Sequence, residues 1–237
     1  MKTPADSNST SYRQALRRWW DALVRPDLGG ELVLSATGPI TFDLVLLVVI
    51  AVLYATYGAT MGLYRGAFPA TVSAFKLPFL YVFTLLCCGP YLYVINAQIG
   101  PRLTARGCVR MFLLGVSANA VALASYAPVS AFFAITSSAN EISGYRFLML
   151  MHVAAFAFAG FLSVVVIGAL VRAVGRQTRK PIRFRFLFAF GLMYGVVGSQ
   201  MAWVLRPWVG SLDVPYAPFR AIEGSFIESV YKLLTNQ

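Results

Sequence analysis

The sequence predicts an all-α fold, a polytopic transmembrane helix bundle of five spans with an N-terminal amphipathic interfacial helix and a short C-terminal helix. Three observations lead there. Of 237 residues, 58% are apolar and only 12% are charged, where soluble domains carry about 25% charge. Five stretches, at about 43–64, 77–98, 109–136, 146–171 and 184–205, are apolar enough and long enough to cross a bilayer, which takes about 20 residues for ~30 Å of hydrocarbon. The remaining charge is lopsided, 20 Lys+Arg against 9 Asp+Glu for a net +11. With a mean hydropathy of +0.68, the composition excludes a disordered chain, a coiled coil and a disulfide-stapled secreted scaffold.

The basic residues orient the chain. Fourteen of the 20 fall before the first span, between the second and third, and between the fourth and fifth; Arg65, Lys76, Arg146, Arg206, Arg220 and Lys232 make up the other side. Positive charge in short loops follows the cytoplasm, so the N-terminus is expected inside and the C-terminus outside. The first apolar run begins near residue 43, far later than a secretory signal would place it.

Residues 1–11 read as a disordered N-terminus and 12–42 as a cytoplasmic interfacial helix and linker. In the helix, Tyr12, Leu16, Trp19, Trp20, Leu23 and Val24 recur at helical spacing among Arg13, Arg17, Arg18 and Arg25, and Pro26 ends the segment. Trp19, Trp20, Arg17 and Arg18 suit the headgroup layer, where rings sit half wet and guanidiniums meet phosphate. A docking helix for a cytoplasmic partner would use the same stripe. Within the transmembrane domain, 43–206, helices must associate by close approach and hydrogen bonds. The first span carries Gly58, Gly62 and Gly66 at four-residue spacing, and the fifth carries Gly191, Gly195 and Gly198. Both are expected as interhelical packing stripes, with dimerisation through one of them as the other use. Pro90 and Pro128 are expected to kink the second and third spans. The cysteines Cys87, Cys88 and Cys108 read as small packing residues. The outer end of the fifth span, with Trp203, Arg206 and Trp208, reads as an interface anchor. Residues 207–237 form an extracytoplasmic loop and an amphipathic tail helix that caps the bundle or lies on the membrane.

Ionisable groups at membrane depth mark function by default, and here they are scarce. From Leu44 to Arg206 the one acid is Glu141, in a loop. The intramembrane polar groups are Asn96, Asn119, His152 and Gln200, read first as interhelical hydrogen bonders. His152 is the one histidine in the chain, so a metal site lacks further ligands; neither metal nor cofactor is expected. Gly115-Val116-Ser117-Ala118-Asn119 echoes only part of a nucleophile elbow, and acidic clusters for divalent metals are missing, so the chain does not read as an enzyme. The basic run from Arg172 to Arg185, with Arg176, Arg179, Lys180 and Arg183 at its centre, is expected to contact anionic lipid headgroups on the cytoplasmic side rather than nucleic acid.

Three stretches carry a resemblance: Tyr57-Gly58 through Met61-Gly62; Lys76-Leu77-Pro78 with Pro90 through Asn96; and Gly198 through Pro207 with Gly210 and Phe219-Arg220. In these the chain resembles a group of uncharacterised multi-spanning bacterial membrane proteins, some described as Yip-like. The resemblance covers most of residues 45–230. It implies five spans, a cytoplasmic N-terminus, a bacterial inner membrane, and action by binding other proteins without catalysis. The cytoplasmic signature through which Yip proteins bind small GTPases is not found here, and that activity is not carried over.

The expected function is that of a non-enzymatic integral membrane protein, a scaffold or accessory subunit of a membrane assembly or an organiser of the bilayer. Its expected partners are membrane lipids and other membrane proteins or a second copy. The alternative is a small transporter or channel with a polar site at Asn96, Asn119, His152 and Gln200. A lipid-modifying enzyme with an unusual site is a third, weaker reading.

Overall fold

The computed structural model describes residues 4–35, 40–99, 103–137, 142–178 and 184–205. Among these the chain is helical, with no strand. The order is α1 (Pro4–Val24), α2 (Pro26–Leu34), α3 (Ile40–Gly62), a single 3-10 turn (Leu63–Arg65), α4 (Ala67–Ile99), α5 (Ala105–Thr136), α6 (Ile142–Thr178) and α7 (Phe184–Leu205). Four helical stretches are long and apolar enough to cross a membrane: Phe42–Arg65, Ala67–Gln98, Ala105–Thr136 and Ser143–Thr178. The fifth stretch expected to span, 184–205, is helical, as α7, and is not among these four.

Several boundaries differ from expectation for identifiable reasons. Residues 4–11, expected as disordered, are helical and continuous with the helix expected from residue 12. Residues 26–34, expected as linker, form a helix of their own. Pro26 ends α1 and also opens α2, and Asp27 stands in the first turn, where an acid complements the helix dipole. Helix α4 begins ten residues before the expected span. Pro69 falls in its first turn, and the helix runs unbroken through Pro78 and Pro90, as α5 does through Pro128. Thr104 caps α5: its Oγ1 accepts from the Gly107 N–H at 3.2 Å, the expected reach of a threonine N-cap.

The described chain forms two compact units, each built from several helices. The first comprises Met1–Ala51, Gly89–Asn119 and Phe161–Gly191; the second comprises Val52–Cys88, Ala120–Gly160 and Leu192–Gln237. In the second unit, α3 and α4 form a tight hairpin. Gly66 makes the turn with φ +111°, its N–H bonded to the Leu63 carbonyl. A Cβ on Gly62 would stand 2.4 Å from the backbone of Ala70, and one on Gly58 would stand 2.5 Å from the Ser73 carbonyl oxygen. The two helices therefore touch backbone to backbone, and only glycine fits. Tyr54 and Tyr81 stack above this contact with ring centroids 3.8 Å apart. Leu148, Met151, Ala134 and Tyr64 form a buried cluster flanked by Tyr126, Phe133 and Tyr145.

In the first unit, α5 and α6 meet at Gly115. A Cβ there would lie 2.3 Å from Ile167 Cδ1, and Ser163 Oγ donates to the Gly115 carbonyl at 2.8 Å. Helix α5 is the most enclosed of the four, with 72% of its apolar window buried against 24–33% for the others. Its run of small residues from Gly115 to Ala120 admits neighbours closely, as membrane helix contacts require.

Candidate functional site

The most specific polar constellation lies in the first unit, where α3 and α5 face the end of α2. Arg106 and Arg110 are four residues apart on α5 and so share a face. Both reach Asp43, near the start of α3. Arg110 Nε donates to Asp43 Oδ1 at 2.6 Å and its Nη2 to Oδ2 at 3.4 Å; Arg106 Nη2 and Nε donate to Oδ2 at 2.7 and 3.0 Å. Side-chain exposure grades across the cluster: 34% for Arg106, 18% for Asp43 and 2% for Arg110.

Two guanidiniums on one carboxylate leave an excess positive charge. The end of α2 answers it. Arg110 Nη1 donates to the carbonyls of Leu32 and Ser35, each at 3.3 Å. Carbonyls at a helix C-terminus lack intrahelical partners and form the negative end of the dipole. The guanidinium carbon also lies 5.5 Å from the centroid of the buried Phe42 ring, within cation–π range. Arg110 thus ties α2, α3 and α5 together through one side chain.

Glycines and a second ion pair complete the docking of α2. A Cβ on Gly29 would come 2.4 Å from Leu170 Cδ2, and one on Gly30 would come 3.0 Å from Ala173 Cβ, both on α6. A Cβ on Gly107 of α5 would lie 2.8 Å from the Val33 carbonyl oxygen. At the exposed rim Arg176 pairs with Asp27, and Gln177 Nε2 donates to the Asp27 carbonyl at 3.3 Å. Arg176, expected on lipid, has this carboxylate as a partner.

Helix α1 packs on α2 and splits the two tryptophans. Ala22 is buried and Trp19 half-buried, with its indole N–H enclosed. Tyr12, Leu16, Trp20 and Val24 face outward at 53, 40, 53 and 61% exposure. Arg13, Arg17 and Arg18 are exposed as well.

The intramembrane polar residues divide between the units. Asn96 and Asn119 belong to the first and are buried; Asn96 Nδ2 donates to the Leu103 carbonyl at 3.2 Å, and its Oδ1 accepts the Leu103 N–H at 3.3 Å. That pairing closes the connection between α4 and α5. His152 and Gln200 belong to the second unit, where Gln200 is exposed. His152 is buried; its Nδ1 lies 2.8 Å from the Tyr57 hydroxyl, and its Nε2 is enclosed without a hydrogen-bond partner among the described residues. Nearby, Thr60 Oγ1 donates to Ser130 Oγ at 3.1 Å.

The glycine stripes also divide. Gly58 and Gly62 pack α3 against α4 within the chain, whereas Gly66, expected in the same stripe, stands in the turn with nothing within 4 Å of a Cβ. On α7, a Cβ at Gly191 would sit 3.5 Å from Val164 and one at Gly198 would sit 3.8 Å from Thr84, both ordinary contacts, and one at Gly195 would meet nothing. The Trp203 side chain, and Arg179, Lys180, Arg183, Arg206, Trp208 and the tail, lie outside the described residues.

Sequence reasoning missed the Asp43 cluster and the Gly29-Gly30 contact. Along the chain Asp43 marks only the edge of a span, and Arg106 and Arg110 only the basic charge of a short loop. The available signal was the i,i+4 spacing of two arginines, which puts both on one face. Comparison of the chain with protein-family models, curated proteins and solved structures finds no match.

Proposed function

We propose that the chain is a non-enzymatic integral membrane protein that acts through helix–helix and membrane-surface contacts, as a scaffold or accessory subunit of a membrane assembly or as an organiser of the bilayer. In this reading α3 to α7 all cross, the N-terminus is cytoplasmic and the C-terminus lies outside, in a bacterial inner membrane. This is the topology that the Yip-like resemblance implies. Helix α1 lies along the cytoplasmic surface. The observation that carries the reading is the use to which polar side chains are put. Asp43, Arg110, Asn96 and Ser163 each bind a neighbouring helix or its connecting backbone. Their chemistry holds helices in place, as in a rigid element presented to partners.

Native mass spectrometry of the full chain, extracted in mild detergent, tests this. The expected result is a complex of fixed composition, with itself or with defined membrane proteins. A lone monomer from every extraction overturns the scaffold reading.

One observation favours the transporter reading instead: His152 Nε2 is buried in a helix apolar enough to span, and it has no hydrogen-bond partner among the described residues. Polar groups at membrane depth line solute and proton paths. Proteoliposomes holding the protein would then show solute or ion flux that His152→Ala reduces, and absence of flux across a broad panel rejects that reading.

A further inference from the structure

We infer that α1 is an anionic-lipid-binding helix, with Tyr12, Leu16, Trp20 and Val24 inserted at the headgroup boundary and Arg13 and Arg17 on lipid phosphates. The inference rests on the membrane-spanning reading above and goes further, naming the lipid class and the residues that select it.

The argument begins with the outward face. The four apolar residues are exposed, and they follow one another in four-residue steps, each advancing only about 40° around a helix of 3.6 residues per turn. They form one stripe. On the side of Tyr12 away from Val24 the helix turns to the half-buried Trp19 and then to the buried Ala22, whose carbonyl lies against Gly29 of α2. By the same geometry Arg13 and Arg17 fall beside Trp20 and Val24 at one edge of the stripe, whereas Arg18 and Arg25 fall on the far side of the helix. An apolar stripe bordered by arginines is complementary to an acyl boundary beneath anionic phosphates.

The attachment of the arm supplies the depth. The arm is α1 with the α2 on which it packs, and α2 is held by Leu170, Ala173 and Arg176 of α6 and by Gly107 and Arg110 of α5, the last also paired with Asp43 of α3. At each of these places a long apolar helix gives way to charge: Asp43 opens α3, Arg106 and Arg110 open α5, and Arg172 and Arg176 end the apolar run of α6. Charged residues at the ends of spans lie at headgroup level. An arm fixed there by glycine contacts and a buried arginine cannot lift its stripe far from the bilayer. Trp20 then sits where indole rings concentrate, and Trp19 is held against the protein.

The test uses the full-length protein. Native mass spectrometry from micelles containing equal phosphatidylglycerol and phosphatidylcholine reads retained lipid, beside tryptophan quenching in vesicles of brominated lipid. Wild-type protein is expected to retain phosphatidylglycerol preferentially. The double change Arg13→Gln and Arg17→Gln lowers that retention about 25-fold, since a surface arginine contributes about fivefold. The control Arg18→Gln and Arg25→Gln removes the same charge from the far side of the helix and leaves retention near wild type. Trp20→Phe removes more of the quenchable emission than Trp19→Phe does. Equal effects of the two arginine pairs, or no preference in wild type, overturn the inference. So does a Trp20 that brominated lipid does not quench, because the stripe is then covered by a second copy or by another protein. Carbonate extraction run in parallel separates the two levels of failure. Protein released from the membrane overturns the spanning reading as well, whereas protein retained without lipid selectivity overturns only the role of α1.

Discussion

Arg110 and Asp43 form a bidentate ion pair in which the arginine is 2% exposed and its Nε lies 2.6 Å from the carboxylate. The pair joins α3 to α5, and Arg110 extends it to the end of α2. Removing one partner of a buried pair leaves an uncompensated charge, at a cost of about 3–5 kcal/mol. Asp43→Asn, which strands the buried Arg110, is expected to lower thermal stability in detergent sharply; Arg110→Met leaves Asp43 with Arg106 but forfeits the bonds to Leu32 and Ser35, and is expected to lower it as well. Arg106→Gln, on the same carboxylate but 34% exposed, is expected to cost about 1 kcal/mol or less. Intrinsic tryptophan fluorescence during heating reads the order, and an Arg106 effect as large as that of Arg110 contradicts it.

The α3–α4 hairpin gives a second prediction. Gly62→Ala would place a carbon 2.4 Å from backbone atoms of Ala70, and backbone cannot swing aside as a side-chain tip does. Overpacking of this kind costs about 1–3 kcal/mol or more, so Gly58→Ala and Gly62→Ala each destabilise the monomer itself. Gly195→Ala, which meets nothing, is expected to leave the melting temperature unchanged. Heating curves of the three variants make the comparison, and a destabilised Gly195→Ala with an unaffected Gly62→Ala reverses it.

Gly66 is sensitive for a different reason. Space is free around it, but its backbone lies at φ +111°, ψ −177°, a region essentially reserved for glycine. Gly66→Ala is expected to cost about 1–3 kcal/mol through strain alone, in the absence of any steric contact. Reversible denaturant unfolding of the purified protein measures it, and a cost indistinguishable from zero rejects the turn geometry.

Tyr57 and His152 are coupled at 2.8 Å inside the second unit. Tyr57→Phe strands Nδ1 beside the unpartnered Nε2, and buried groups left unmatched cost about 1–3 kcal/mol. A double-mutant cycle with His152→Phe is expected to give a coupling of about 1 kcal/mol, within the range seen for hydrogen bonds between membrane helices. Strictly additive single changes contradict the bond.

The legible part of this fold was hydropathy. Long apolar runs announced α3, α5 and α6, because span length is a one-dimensional property of the chain. The start of α4 was hidden: Lys76, Pro69 and Pro78 look like a loop in one dimension, yet a single glycine at 66 closes the turn and frees ten more residues for helix. Residues 26–34 were hidden for a similar reason. Gly29 and Gly30 read as flexible linker until Leu170 and Ala173 stand against them, and that juxtaposition spans more than 140 residues of chain. The same holds for Asp43, whose partners only the fold brings near. Arg17 and Arg18 show the limit at finer scale: adjacent in sequence, they fall on different sides of α1, and only its packing on α2 says which one adjoins the apolar stripe.

The proposed topology has five membrane crossings, with the C-terminus on the far side from α1. Alkaline phosphatase and, separately, green fluorescent protein fused after Gln237 and expressed in bacterial cells test it most directly, because the first is active only outside the inner membrane and the second fluoresces only inside. An active phosphatase and a dark fluorescent protein are predicted. A bright fluorescent protein with inactive phosphatase means that α7 does not cross, and contradicts the five-span account.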